Sequence, residues 1–207
     1  MTERLRGISG SMFAVKTELL LKEITRAEFA GKKVQVFKHV LDNRYGTDHI
    51  HCHSGGDHSA ITIQNPLEIL KHLNPDTDLV AIDEIQFFDD SIVGVIQLLL
   101  EIDVRVVFAG LSLDFRGEPF GSMPQLLALC DELDRPTAIC TQETDGIKCG
   151  AEATRTQRLI NNQPANYTDP IVLIGAQENY AARCPKHHIV PGKPQPKLPS
   201  SGNTQSK

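Results

Sequence analysis

The chain has 207 residues, of which 40% are hydrophobic and 23% charged, a balance that can bury a core and excludes wholesale disorder. Its 21 Lys and Arg against 26 Asp and Glu give a formal charge of −5, which argues against a protein that wraps nucleic acid through its overall field. No apolar run approaches the ~20 residues of a membrane-spanning helix, and Met1-Thr2-Glu3-Arg4-Leu5-Arg6 has no apolar stretch behind it for export.

The expected setting is therefore the cytosol, with no membrane and no nucleic acid as partner. In that reducing compartment Cys52, Cys130, Cys140, Cys149 and Cys184 read as thiols or metal ligands rather than a disulfide frame.

Short β-branched runs at residues 5–8, 33–38, 78–83 and 105–110 alternate with helical patterns at 17–30, 65–73, 91–102 and 124–133. That alternation predicts a parallel sheet covered by crossover helices. Leu20, Ile24 and Ala27 repeat at helical spacing, and Asn65-Pro66 supplies a cap followed by a first-turn proline. Leu79-Val80-Ala81-Ile82 and Val106-Val107-Phe108-Ala109 are apolar throughout, as suits strands buried on both faces. The expectation for residues 1–136 is a doubly wound or P-loop-like α/β nucleotide-binding domain. After Pro136 helical periodicity fades and Cys, Gly, Asn, Thr and Pro become frequent. One strand stays legible, at 171–175. Residues 137–190 are too few for much of a core and would gain from a metal staple, while 191–207, rich in Pro, Ser and Lys, read as a disordered tail.

Between the first strand and the first helix lies Gly10-Ser11-Met12-Phe13-Ala14-Val15-Lys16-Thr17, where a phosphate-binding loop of pattern G-x-x-x-x-G-K-[ST] belongs, with Val15 in place of the second glycine. Lys16 would reach the terminal phosphates, the Thr17 hydroxyl would ligate Mg²⁺, and the helix N-terminus would supply amide donors. Read alone, the segment also fits an ordinary strand-to-helix turn. The strand at 79–82 runs into Asp83-Glu84, an arrangement with one acid for the metal and the next for proton transfer. A pair of solvated acids is the alternative, but the carboxyl end of a central strand is the ligand edge of such sheets. Cys140-x8-Cys149 and Cys184-x-x-His187 supply four ligands for a closed tetrahedral zinc site. Cys52 and Cys130 are read as buried thiols. His49, His51, His53 and His58 suggest either a second metal site or a surface loop, the latter favoured because no regular element fixes their geometry. Met12, Phe87, Phe115 and Phe120 would form a slot for a flat ring, or simply core.

Taken in order, the segments Asp83-Glu84-Ile85-Gln86-Phe87-Phe88, Asp114-Phe115-Arg116-Gly117-Glu118-Pro119-Phe120-Gly121, Ala153-Thr154-Arg155-Thr156-Gln157-Arg158, Gly175-Ala176-Gln177-Glu178-Asn179-Tyr180 and Asp42-Asn43-Arg44-Tyr45 resemble the type II (cytosolic, zinc-containing) thymidine kinases over residues about 4 to 192. The resemblance implies a P-loop α/β domain with a small zinc-binding domain whose lasso loop closes over thymidine, and transfer of the ATP γ-phosphoryl group to the 5′-hydroxyl of thymidine. It assigns ATP, phosphate and Mg²⁺ contacts to the 10–17 loop, to Asp42, Asn43 and Arg44, and to Asp83. Glu84 takes the role of base. The base pocket falls to Met12, Phe87, Leu111, Phe115, Phe120 and Thr156, and the lasso to Ile171, Val172, Leu173, Ile174, Gly175 and Tyr180. It further implies structural Zn²⁺ on Cys140, Cys149, Cys184 and His187, a cytoplasmic homotetramer, and dTTP as a feedback inhibitor. The loop departs from the family pattern at Ala14 and Val15, where the family carries serine and glycine. A β-branched residue resists left-handed torsions at a cost of ~1 to 3 kcal/mol, and the alternative function is accordingly a catalytically impaired relative that binds nucleoside or subunits. A zinc-ribbon binding module on an unrelated scaffold is a third reading.

Overall fold

β1 (Leu5–Gly10) leads through the loop into α1 (Lys16–Phe29), whose Leu20, Ile24 and Ala27 are buried. The structure is a computed structural model that describes residues 4–42, 49–51, 57–172 and 180–195. β2 (Val34–His39), β3 (His49–His51), β4 (Asp57–Ser59) and β5 (Ile61–Ile63) follow, then α2 (Leu67–His72) and β6 (Leu79–Asp83). A 3₁₀ turn (Ile85–Phe87), α3 (Ser91–Glu101), β7 (Arg105–Leu111), α4 (Met123–Leu129) and β8 (Glu132–Asp134) complete the first part. The sheet has six parallel strands in the order β5-β2-β6-β7-β1-β8.

All five residues of β6 are buried, as its unbroken apolar run predicts. Helices cover both faces. Leu20, Ile24 and Ala27 of α1 join Ile8, Val36, Ala81, Val107 and Ala109 on one side. Ile92, Val95, Ile96 and Leu99 of α3, with Ile69 of α2 and Leu126 of α4, join Phe37, Val80, Ile82, Val106 and Phe108 on the other. At ~1.5–3 kcal/mol for each fully buried large aliphatic or aromatic side chain, these two layers are the main stabilising term. Their geometric effect is to hold the carboxyl ends of β1, β6 and β7 at one edge of the sheet.

The structure differs from the sequence expectation at both edge strands of the sheet, β5 and β8, and in the histidine-rich segment. The helical pattern at 124–133 ends at Leu129, and residues 132–134 become the edge strand β8 beside β1. The cause is long-range: the Asp131 carboxylate accepts the amides of Arg4 and Leu5 at 2.9 Å each, and Arg6 pairs with Asp134 at 2.8 Å and Glu132 at 3.0 Å. The histidine-rich segment is not a plain loop. β3 and β4 form an antiparallel pair, fixed by Ile50, which is buried in the α1-side core. His58 meets Glu28 at 3.0 Å and His49 is exposed, while Cys52 and His53 lie outside the described residues. Cys130 is a half-buried thiol packed on the core, raised by burial to about 11.

From residue 138 the elements are short: β9 (Ala138–Ile139), β10 (Glu143–Thr144), β11 (Ile147–Lys148), β12 (Glu152–Ala153), β13 (Arg155–Ile160), β14 (Gln163–Pro164) and β15 (Tyr180–Arg183). β9 pairs with β12, β10 with β11, and β13 lies between β14 and β15. Their core is a cluster of small side chains, Ala138, Cys140, Ala153, Ala182 and Cys184, which Ala14 of the loop after β1 joins. Residues 191–193, assigned by composition to a disordered tail, are hydrogen-bonded: the Tyr167 amide donates to the Pro191 carbonyl at 2.9 Å, and Lys193 Nζ to the Arg116 carbonyl at 2.5 Å. Residues 196–207 lie outside the described residues. No helix among the described residues is long and apolar enough to cross a membrane.

Candidate active site and metal centre

The loop after β1 starts at Gly10, where a side chain is impossible: a Cβ would stand 2.5 Å from the Pro136 carbonyl oxygen. The chain then passes through two left-handed residues, Phe13 (φ 66°) and Val15 (φ 52°), before α1 begins. Val15 therefore holds the very conformation that glycine would adopt without strain. Ser11 Oγ donates to the Ala153 carbonyl at 3.0 Å, and the Met12 amide donates to Thr156 Oγ1 at 3.0 Å. Ala14 is buried among Ala138, Cys140 and Ala153, which explains a small residue there. The buried Lys16 ammonium spans the loop to the Ser11 carbonyl at 2.9 Å.

Thr17, in the first turn of α1, donates from Oγ1 to Asp83 Oδ2 at 3.1 Å. This one contact joins the loop-helix corner to the end of β6. The other Asp83 oxygen accepts the Glu84 amide at 2.9 Å, and Glu84 is itself left-handed (φ 50°, ψ 42°), a strained conformation of the kind that collects at functional sites. Asp83 and Glu84 are both buried, so they are not a pair of solvated acids at a strand end.

Sequence reasoning passed over Gln86, which sits two residues on and is buried. Its Nε2 donates to Glu84 Oε2 at 2.5 Å and its Oε1 accepts the Leu111 amide at 2.9 Å. The legible signal was a polar residue inside the apolar frame Ile85-x-Phe87-Phe88. Lys38 was passed over in the same way. It is fully buried in β2 in register with Asp83, lies 3.9 Å from Asp42, and donates to the His49 carbonyl at 2.8 Å. Asp42 is thus placed near this edge, whereas Asn43 and Arg44 lie outside the described residues.

Of the ring-slot candidates, Phe87 and Phe120 meet edge to face with centroids 6.0 Å apart, Leu111 is tied to Gln86, and Met12 is tied to Thr156. Phe115 is buried between two guanidinium groups, Arg116 at 5.6 Å and Arg158 at 5.3 Å from the ring centre, so its ring serves as packing for cations. Ile171 and Val172 are in no strand, contrary to the reading of 171–175, and Leu173, Ile174 and Gly175 lie outside the described residues. Tyr180 opens β15 in register with Arg158.

Cys140, Cys149, Cys184 and His187 converge, with one ligand atom of each within 4.8 Å of all the others. Individual separations are 3.6 Å from Cys140 Sγ to His187 Nδ1, 3.4 Å from Cys184 Sγ to the same nitrogen, and 4.0 Å between the Cys149 and Cys184 sulfurs. Zinc bonds of ~2.3 Å to sulfur and ~2.0 Å to nitrogen give tetrahedral edges of ~3.8 and ~3.5 Å, so this donor set fits Zn²⁺. Burial alone would raise the Cys140 thiol, but the amides of Cys184 and Gln142, the His187 ring and Cys149 bring it down to about 6, favouring the thiolate that a metal needs.

The eight residues between Cys140 and Cys149 contain the β10–β11 hairpin. Asp145 (φ 53°) and Gly146 (φ 77°) form its two-residue turn, the Asp-Gly pair typical of a mirror-image hairpin turn. The Cys149 amide returns to the Gln142 carbonyl at 2.8 Å, so the chain leaves and re-enters at nearly one point and the two cysteines act as close neighbours. In a comparison with known protein families, the sequence model described as thymidine kinase matches residues 4–188.

Proposed function

The chain belongs to the thymidine kinase family, whose members are ATP-dependent phosphotransferases acting on thymidine, and on that premise we propose how its own residues divide the work. Thymidine's 5′-oxygen attacks the γ-phosphorus of ATP, the bond from that phosphorus to the β–γ bridging oxygen breaks, and ADP leaves with that electron pair. Glu84 accepts the 5′-hydroxyl proton. Lys16 and the first amides of α1 hold the phosphates, and no covalent enzyme intermediate is involved. Thr17 and Asp83 would hold Mg²⁺, which when bound with ATP neutralises charge on the phosphate oxygens. Gln86 keeps the Glu84 carboxylate in one orientation, while Met12, Thr156, Leu111, Phe87 and Phe120 border the base.

The observation that carries this reading is the Thr17–Asp83 bond of 3.1 Å with Glu84 next in sequence, because it brings the phosphate loop, the metal-holding acid and the base to one corner. No observation favours the impaired relative: with Val15 in place, Lys16 still bonds the Ser11 carbonyl and Thr17 still bonds Asp83. Family resemblance further supports a cytoplasmic homotetramer with structural Zn²⁺ on the Cys₃His set and separate nucleotide-binding (1–136) and zinc-binding (137–190) units. The test is phosphate transfer from ATP·Mg²⁺ to thymidine by purified protein beside Glu84→Gln. Turnover that falls at least ~100-fold in the variant supports the assignment, and equal turnover in the two proteins sinks it.

A further inference from the structure

On the far side of the phosphate loop a separate cavity of about 500 Å³ opens between the end of β1, the chain after β7, α4, and the chain after β8. Its volume falls within the ~300–1,000 Å³ of small-molecule sites. Ser9 faces it, on the same sheet face as Gly7, whose Cβ would touch Cys130 after α4. Ser9 is buried and its Oγ has no hydrogen-bond partner, an arrangement that costs free energy unless something supplies one. Ser112, Thr137 and Arg135 also line the cavity, and among the described residues none of their side chains has a hydrogen bond or ion pair. Arg155 stands beside them with its guanidinium braced by the Thr154 carbonyl at 3.1 Å and hydroxyl at 2.9 Å.

The lining holds two guanidinium groups and no carboxylate, although the whole chain carries a net charge of −5. Its remaining wall is apolar, from Leu113, Pro119, Pro124, Leu127 and Pro136. A surplus of donors beside an apolar wall suits a ligand with acceptor oxygens at one end and a compact ring at the other.

We propose that this cavity binds a small phosphorylated ring compound of nucleoside-monophosphate type, separately from the phosphate-loop site, with Arg135 and Arg155 on the phosphate and the Ser9 hydroxyl as a buried donor. Gly10 and Ser11 form one wall, and Ser112, Leu113 and Pro119 form another. An occupant therefore touches both the phosphate loop and the segment that runs from Leu111 to Phe120.

The test is calorimetric titration of the full-length, zinc-loaded protein with AMP as the probe, in the presence of saturating ADP·Mg²⁺ and thymidine. The expected result is one AMP site whose affinity falls at least tenfold in Arg135→Glu, with the ADP affinity of that variant unchanged. Arg135 is exposed, so its replacement leaves the fold intact. Ser9→Ala should weaken AMP severalfold. Absence of AMP binding, or equal affinity in wild type and Arg135→Glu, overturns the proposal. Turnover measured on the same wild-type sample tests the kinase assignment separately.

Discussion

Replacing Gln86 by leucine isolates what a buried amide contributes to the catalytic corner. Leucine keeps roughly the volume and loses both hydrogen bonds, the 2.5 Å one to Glu84 and the 2.9 Å one from the Leu111 amide. A lost bond to a charged group costs ~1.5–3 kcal/mol and an orphaned buried amide ~1–3 kcal/mol, partly offset by ~1–2 kcal/mol because the polar amide is no longer desolvated. The balance is ~2–4 kcal/mol of stability, or a melting temperature lower by ~5–15 °C for a chain of this size. Glu84 also loses the partner that fixes its carboxylate, and a misplacement of ~1 Å costs ~100-fold in rate. The expected kinetic pattern is kcat down ~10–100-fold with thymidine KM within ~3-fold. Gly110→Ala reaches the same amide from the other side, since its Cβ would stand 2.7 Å from Gln86 Oε1 and 2.9 Å from Ile85. Steady-state kinetics and thermal unfolding of both variants decide the matter. A Gln86→Leu protein with wild-type kcat would refute the orienting role, whatever its melting temperature.

Val15→Gly should change stability little. It relieves ~1–2 kcal/mol of left-handed strain, loses ~0.5–1 kcal/mol to glycine's freedom in the unfolded chain, and gives up ~1 kcal/mol from the half-buried valine, so a melting shift beyond ~4 °C would contradict the strain assignment. Cys149→Ser should drop metal content well below one zinc per chain by atomic absorption, and chelation of the wild type should lower its melting temperature by at least ~10 °C, given the size of zinc-linked folding energies; a zinc-replete serine variant would sink the ligand assignment. Burial holds His39 below the ordinary histidine value, against a backbone bond at Gln64 and the charge of Asp89, and its Nδ1 accepts the Leu41 amide at 3.1 Å. The unfolded chain therefore takes up the proton first, so stability should fall as pH drops below ~6.5 and level off once the folded value is passed. Urea midpoints between pH 7.5 and 5 should show this slope flattened in His39→Gln, and an unchanged slope would exclude His39 as its source.

The central sheet was legible because its strands are buried on both faces and read as unbroken apolar runs, and because α1 and α3 carry clean helical spacing. β8 was not legible, since what makes Glu132–Asp134 a strand is Asp131 meeting the Arg4 and Leu5 amides, and Arg6 meeting Asp134, across more than a hundred residues. At the site, Lys16, Thr17, Asp83 and Glu84 stood out as charged or hydroxyl residues at a strand-to-helix corner and a strand end. Gln86 and Lys38 act through burial, a property that a list of residue types does not carry. The eight residues between Cys140 and Cys149 are no obstacle to a shared site, because the Asp145-Gly146 turn closes them into a hairpin.

Ala14 lies in one cluster with Cys140 and Cys184, and Ser11 and Met12 are bonded to residues 153 and 156. The Cys₃His cluster is thus packed directly behind the loop proposed to hold the nucleotide phosphates. Coupling between two ligands on one wall is equal in both directions, and it is favourable where each stiffens what the other must order. Zinc loss should weaken ATP, and bound ATP should by the same factor raise the affinity of the four ligands for zinc against an external chelator.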